Sequence, residues 1–407
     1  MTDLTARPLW AGRTLALLGI LLVAFNLRTA VAALSPIADH IAEDIALSAT
    51  MMGVLGMLPP VCFAIFGIFS PVFTRRFGLE PVLITALVAI VVGHLLRGFA
   101  GSLAVLLVGS AVTFAGLGVG NVLLPPLVKK YFPDRVGLMT TLYATALSVS
   151  TFVPPLLAVP VADAAGWQFS LGMWAAIAVL ALLPWLTLSI GHRASRTDLP
   201  EEAQPQLLVR VWRSALGWSL AIVFATSSLN AYAMFAWMPG LLVDIAGQTP
   251  AQAGALLSLY AAMGLPAALI IPVLAAKLKH IGVLVYAGVG FFIAGYLGLL
   301  IAPTQLTWLW VALAGSGPLL FPLALVLINL RTRTHDGAVA LSGFIQGVGY
   351  TVGAFGPLLV GLLHEMSSGW TIPLYFLIAS VVVCAFAGSV VARPHMLEDG
   401  SSPKSQP

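Results

Sequence analysis

Few residues in this chain can do chemistry, and they stand far apart. The most telling is Arg28, in the stretch FNLRTAVAALSP at 25–36. It lies about midway along a long apolar run. An arginine in hydrocarbon costs at least ~2.5 kcal/mol on insertion scales. At 1.5 Å per helical residue it is roughly 15–20 Å from either end of its run. A side chain reaching about 6–7 Å does not snorkel that far. Arg28 must therefore face a wet cavity, pair with an acid, or hydrogen-bond to polar neighbours. No Asp or Glu falls well inside any apolar run, so a permanent buried ion pair is not evident. The planar guanidinium fork gives two hydrogen bonds to a carboxylate-like or other anionic group. One uncompensated cation among neutral hydrogen-bonders describes a site for a small anion or a strongly dipolar solute.

Other chemistries lack their parts. The seven histidines are scattered, intramembrane carboxylates are missing, and no phosphate loop or metal-ligand spacing occurs. A nucleophile with a neighbouring base is not apparent, so an enzyme is not expected, and neither is a cofactor or metal. Cys62 and Cys384 both fall in apolar runs and read as small buried hydrophobes.

The elements that must position Arg28 follow from composition. Hydrophobic residues make up 59% of the chain and charged ones only 8%, and the mean hydropathy is +1.00. A soluble domain carries roughly a quarter charged residues. Apolar runs of about 20 residues, enough to cross a ~30 Å hydrocarbon core as helices, recur throughout. They predict twelve spans, near 14–37, 49–73, 79–98, 103–127, 136–160, 168–190, 214–241, 251–275, 281–302, 306–330, 337–362 and 371–392. The start, MTDLTARPLWAGR and the run after it, resembles a signal peptide, but the run is too long and lacks a small-residue cleavage site. It reads as a retained first helix.

Charge separates the connectors into two sets. All of the 19 Lys and Arg residues except Arg28 and Arg97 fall on one side, in clusters such as Arg75–Arg76 and Lys129–Lys130. The opposite connectors carry Asp39, Glu43, Asp44, Asp163, Asp244 and Glu365. The positive-inside rule places both termini and the basic loops in the cytoplasm of a cell whose cytoplasmic (inner) membrane holds the chain. The formal net charge of +4 then has a topological origin, and no nucleic-acid partner is implied.

Residues 191–212 form the one long polar interval and divide the spans six and six. The expected organisation is a six-helix bundle over 1–190, a central cytoplasmic linker over 191–212, a second bundle over 213–393 and a cytoplasmic tail over 394–407. The second half repeats the first at an offset near 203. Pro36 matches Pro239 and Pro154 matches Pro357, while Gly53 meets Gly254 at 201.

Two parallel six-helix halves are the plan of major facilitator transporters, which the chain resembles over essentially its full length. That resemblance implies an all-α membrane fold of twelve transmembrane helices in two pseudo-symmetric bundles, working by alternating access. The superfamily's loop between helices 2 and 3 reads Gly-x-x-x-Asp-x-x-Gly-x-Arg/Lys. Here the corresponding positions are Pro71, Arg75, Gly78 and Glu80. Gly78 is kept where a tight turn can need positive φ. Acid and base are exchanged, which suggests a latch whose Arg75–Glu80 ion pair has reversed polarity.

Particular stretches narrow the resemblance. NLR at 26–28, GLGVGNVLLPPLVKKYFP at 116–133, LYATAL at 142–147, WMPGLL at 237–242 and LSGFIQGVGY at 341–350 are similar to the cyanate-permease and 2-nitroimidazole-transporter branch. Thr29 departs from that branch, where a proline often follows the arginine.

In the resembled fold, helices 1, 4, 7 and 10 line the pathway and 2, 5, 8 and 11 complete its walls. The polar side chains at mid-depth on them are Tyr143, Asn230, Tyr232, Gln346 and Tyr350, with Asn121 and Asn329 nearer the basic side. These join Arg28 as candidate substrate-binding residues, Asn329 excepted. Asn26, roughly 200° around the helix from Arg28, reads as a packing residue, and Trp237 as part of an interfacial aromatic belt. His94 is a candidate for proton coupling because its charge changes near neutral pH; a packed histidine is the favoured alternative.

The resemblance implies a permease, functional as a monomer in membrane lipid, for a small anionic or nitro-bearing solute. The rival is a multidrug or toxic-compound efflux pump of the same superfamily. Span 5 lacks the acid and Gly-Pro motif expected of cationic-drug exporters.

Overall fold

The computed structural model describes residues 13–191 and 205–401. Among them are twelve helical segments long and apolar enough to cross a membrane. In chain order they are Thr14–Asp44, the first part of Ala49–Phe77, Leu79–Gly98, Leu103–Tyr131, Val136–Ala165, Trp167–Ser189, Ala215–Ala246, Pro250–Lys277, Gly282–Ile301, Thr307–Leu330, Asp336–Ser367 and Thr371–Val391. They are called spans 1 to 12. Each coincides with an apolar run, and several extend a turn or more beyond it.

Local chemistry marks where the helices begin. The side chains of Ser48, Ser102, Ser214 and Thr334 each accept from a backbone N–H three residues on, relieving donors that no earlier turn can pair. Thr249 and Gln252 form a reciprocal capping box at span 8. Gly78 and Gly166 connect successive helices at φ +89° and +86°, a region closed to side chains without strain.

Large apolar side chains such as Phe69, Phe99, Val283 and Phe386 face outward. In water such a surface would drive association; against acyl chains it is the expected coat. Within the first six spans, span 3 packs along span 4, and span 1 packs on spans 5 and 6. The last six repeat the scheme, with span 9 along span 10 and span 7 on spans 11 and 12.

The halves meet along spans 2 and 11 and along spans 5 and 8. Glycine makes both seams close. A Cβ on Gly53 would stand 3.0 Å from the Pro357 carbonyl oxygen, and one on Gly254 would stand 2.7 Å from that of Pro155. The two glycines paired by the repeat thus each face a proline carbonyl of the opposite half. Both seams lie toward the acidic face. There Ser35 also donates to the Phe235 carbonyl across 2.5 Å, and Thr50 bonds to the Glu365 carboxylate through both its backbone N–H and its hydroxyl.

Four spans are interrupted. Span 1 leaves helical geometry after Ala32 and resumes through a 3-10 turn at Ser35–Ile37. Span 6 breaks between Gly172 and Ala175, span 8 at Met263, and span 10 at a 3-10 turn over Gly317–Leu319.

The polar interval is partly structured, unlike a simple linker. Residues 192–204 lie outside the described residues, but Pro205–Trp212 is a helix whose Val211 is fully buried. The expected tail is docked as well. Leu397 is buried, and its N–H donates to the Arg331 carbonyl. Arg210 bonds to the Glu398 carbonyl and Arg333 to Asp399.

Candidate functional site

A cavity of about 320 Å³ lies where the two halves meet. Spans 1 and 5 wall it from one half; spans 7, 8, 10 and 11 wall it from the other. Two of the helix interruptions border it, through Gly264 at the break in span 8 and Pro318 at the break in span 10. Backbone freed from helix is tolerated at membrane depth only where protein or a cavity meets it.

Arg28 contributes the one charged side chain of the lining. It is half-buried, with its guanidinium carbon 5.2 Å from the centroid of the Phe63 ring. The hydroxyls of Tyr232 and Tyr350 both interact with it, and Tyr350 also interacts with Asn121. Nη1 is enclosed and has no hydrogen-bond partner among the described residues. The cation therefore rests on an aromatic face and two phenols, with no carboxylate in the lining to neutralise it. Donor capacity of this kind, at low dielectric, strengthens attraction to an anion.

Of the residues singled out from sequence, the structure gathers Arg28, Tyr232, Tyr350 and Asn121 into one cluster. The others lie elsewhere. Asn230 is fully buried, donates to the Thr226 carbonyl and to Ser380, and accepts from the Tyr296 hydroxyl. Its hydrogen bonds hold spans 7, 9 and 12 together. Gln346 donates to Ser342 within its own helix, and Tyr143 interacts with Thr140; neither lines the cavity. Asn329 is exposed. Trp237 does not face outward as a belt residue would: it is buried, and its indole donates to the Pro357 carbonyl at 2.8 Å. Asn26 is a packing residue, donating to the Leu22 carbonyl.

Sequence reasoning did not single out Ser228, Phe235, Tyr260 or Phe321, all of which line the cavity. Their signal was faint, since aromatic and hydroxyl side chains recur all along the chain and depth alone does not give a facing direction.

His94 and Arg97 lie one turn apart on span 3, both fully buried. The Arg97 Nη2 donates to the Ala30 carbonyl, and the His94 Nδ1 pairs with the Leu171 carbonyl at 3.1 Å. Those carbonyls belong to the last turns before the breaks in spans 1 and 6, where intrahelical donors run out. One helix face thus braces two interrupted neighbours. His94 stands outside the cavity lining.

At the connector between spans 2 and 3, Gly78 has the expected positive φ. Glu80 is 5% exposed. It pairs with Lys130 at 2.9 Å and accepts from the Tyr131 hydroxyl at 2.7 Å. Its ion-pair partner is thus a residue at the end of span 4, rather than the expected Arg75. Arg75 is exposed at the helix end.

Twelve membrane-length helices in two like halves around a central, mainly apolar cavity with one cation in its wall are the architecture of a membrane transporter. The sequence pattern of the Major Facilitator Superfamily matches residues 18–354, and the chain belongs to that family; it is not an enzyme. It is 33% identical to the uncharacterized transporter YycB of Bacillus subtilis (strain 168), over 92% of each chain. It is 31% identical to the 2-nitroimidazole transporter of Escherichia coli (strain K12), over 94% of this chain and 96% of that one. Against the cyanate transport protein CynX of the same organism the identity is 26%, over 87% and 91%. Among solved structures, a bacterial homolog of the human lysosomal transporter Spinster superposes with a TM-score of 0.78 at 16% identity, covering 98% of this chain and all of that one.

Proposed function

We propose that the protein moves a small anionic or nitro-bearing polar solute across the cytoplasmic membrane by alternating access, with Arg28 as the substrate clamp. The carrying observation is one partly unpaired guanidinium in a cavity shared by both halves and free of acids. Tyr232, Tyr350 and Asn121 orient the fork, while the solute supplies the missing countercharge. The names of the relatives, a nitroimidazole and a cyanate transporter, fit such a ligand. A nitro group presents two oxygens to the fork much as a carboxylate does.

In this reading both termini are cytoplasmic, the halves are 1–190 and 213–393, and the monomer is the working unit. The acidic face is then the outer one, so the seams at Gly53 and Gly254 close the outer side. Rocking about the cavity exchanges that closure for one at the basic face. Arg75, Gly78 and Glu80 belong to a gating latch on the cytoplasmic side, with Lys130 as the ion-pair partner of Glu80.

Thermal stabilisation tests the reading. Wild type and Arg28→Gln are melted with cyanate, small carboxylates, 2-nitroimidazole and a lipophilic cation, at fixed ionic strength. A ligand at about 100 times its Kd stabilises the fold by ~2.7 kcal/mol. Stabilisation by an anion or nitro compound, lost in Arg28→Gln, is expected. A response to the cation alone would instead support the efflux-pump reading, which the mainly apolar walls also suit.

A further inference from the structure

A second cavity, of about 730 Å³, lies on the basic face where span 7 begins and span 12 ends. Two segments outside the spans enclose it: the helix Pro205–Trp212 and the tail that follows span 12. Arg210, Arg213 and His395 line it. Arg213 and His395 are exposed, and neither side chain has a partner among the described residues. The one acid in the lining, Asp399, is already engaged. It pairs with Arg333 at 2.6 Å and accepts from the Met396 N–H at 2.9 Å. The first turn of span 7, at Ala215 and Leu216, adds the positive end of a 32-residue helix. The lining is thus net positive even with His395 neutral.

Most of the remaining wall is apolar, including Val209, Leu216 and Val390. A small inorganic anion gains nothing from such walls, whereas the upper acyl carbons of a lipid do. The short helix also suits a membrane surface. Val211 is buried against the protein, while Val209 and Trp212 are exposed. Trp212 stands edge-on to Trp218 at 5.2 Å and to Phe344 at 5.7 Å, an aromatic cluster of the kind that settles at headgroup level. Basic side chains beside exposed apolar ones on an interfacial helix attract anionic lipid.

We propose that this cavity is a binding site for an anionic phospholipid. Arg213 and His395 hold the phosphate, Arg210 adds positive charge from the same wall, and the acyl chains leave past Val209 into the membrane. The guanidinium fork of Arg213 gives the phosphate two parallel hydrogen bonds. Arg210 is fixed meanwhile by its bond to the Glu398 carbonyl at 2.7 Å. A bound headgroup bridges the short helix and the tail. The tail in turn reaches the start of span 11, because Glu398 accepts from the backbone N–H groups of Arg333 and Thr334 at 3.0 and 3.4 Å. The lipid thereby fastens together the basic-face ends of spans 7, 11 and 12.

Thermal melts of the purified full-length protein in neutral detergent test this. Dioctanoyl phosphatidylglycerol, dioctanoyl phosphatidylcholine or inorganic phosphate is titrated in at fixed ionic strength. Wild type should be half-stabilised by the phosphatidylglycerol at a concentration at least about tenfold below that needed of the phosphatidylcholine. Inorganic phosphate over the same range should have no effect. In an Arg213→Gln/His395→Gln double variant the preference between the lipids should fall toward one; both side chains are exposed, so the fold is kept. Lys279→Gln, which removes an exposed charge on the same face outside the cavity, should keep the wild-type preference. Equal response of wild type to the two lipids overturns the site, and that comparison needs no variant. Inorganic phosphate acting as well as the anionic lipid overturns the assignment to a lipid. An unchanged preference in the double variant, or an equal loss in Lys279→Gln, means diffuse attraction to the basic face and overturns the site as well. None of these outcomes bears on Arg28.

Discussion

Arg97 on span 3 donates to the carbonyl of Ala30 on span 1 across 3.3 Å, only two residues from Arg28. That carbonyl belongs to the final helical turn before span 1 breaks, where a positive charge also complements the helix dipole. The position of Arg28 is therefore set partly from outside the cavity.

Replacing Arg97 by Leu should destabilise the protein by ~1–3 kcal/mol by freeing a buried carbonyl. It should also weaken ligand binding severalfold by loosening the helix that carries Arg28. Arg97→Lys, keeping charge and a donor, should recover part of both. Melting curves with a parallel binding titration check this; loss of stability with affinity fully intact would reduce Arg97 to a packing residue.

His94 supplies a donor to the break in span 6. His94→Leu is therefore expected to lower the melting temperature, while His94→Gln retains a donor and falls between it and wild type. In a folded His94→Gln the pH profile of transport should match that of wild type. A flattened profile would reinstate proton coupling at this residue.

The seams predict graded effects of added bulk. A side chain at Gly254 meets backbone at 2.7 Å and one at Gly53 meets it at 3.0 Å, and neither partner can swing aside. Gly254→Val and Gly53→Val should each disfavour closure at the acidic face, Gly254→Val more strongly. The readout is the disulfide yield between cysteines introduced at Thr50 and Glu365, which should drop in both.

Arg13 holds the Asp134 carboxylate with bonds of 2.6 and 3.1 Å, joining the start of span 1 to the connector between spans 4 and 5. The Arg13 hydrogen bond, against desolvation, keeps Asp134 well below the usual carboxylate range. A depressed native pKa stabilises above the unfolded value of about 3.9, and that contribution fades as pH falls below it. Arg13→Gln should therefore lower stability at pH 7 by a small amount, the pair being exposed. The gap to wild type should narrow in melts taken below about pH 4.

Much of the fold was legible because membrane helices announce themselves by length, composition and flanking charge. All twelve runs became spans. Facing direction was harder to read. Asn230 and Tyr232 are two residues apart on span 7, yet one hydrogen-bonds into span 9 and the other borders the cavity. Hydropathy gives no cue, because span 7 is buried on nearly every side. The partner of Glu80 was hidden for a related reason: Lys130 is distant in sequence, whereas Arg75 is near. The break in span 1 had only Pro36 as its sign.

The most direct test is counterflow into proteoliposomes of whichever probe binds wild type most tightly, with Arg28→Gln and Arg28→Lys alongside. The account predicts counterflow by wild type, loss of at least about a hundredfold in Arg28→Gln, and partial activity in Arg28→Lys, which keeps the charge but loses the fork. Counterflow by Arg28→Gln at the wild-type rate and affinity would contradict it.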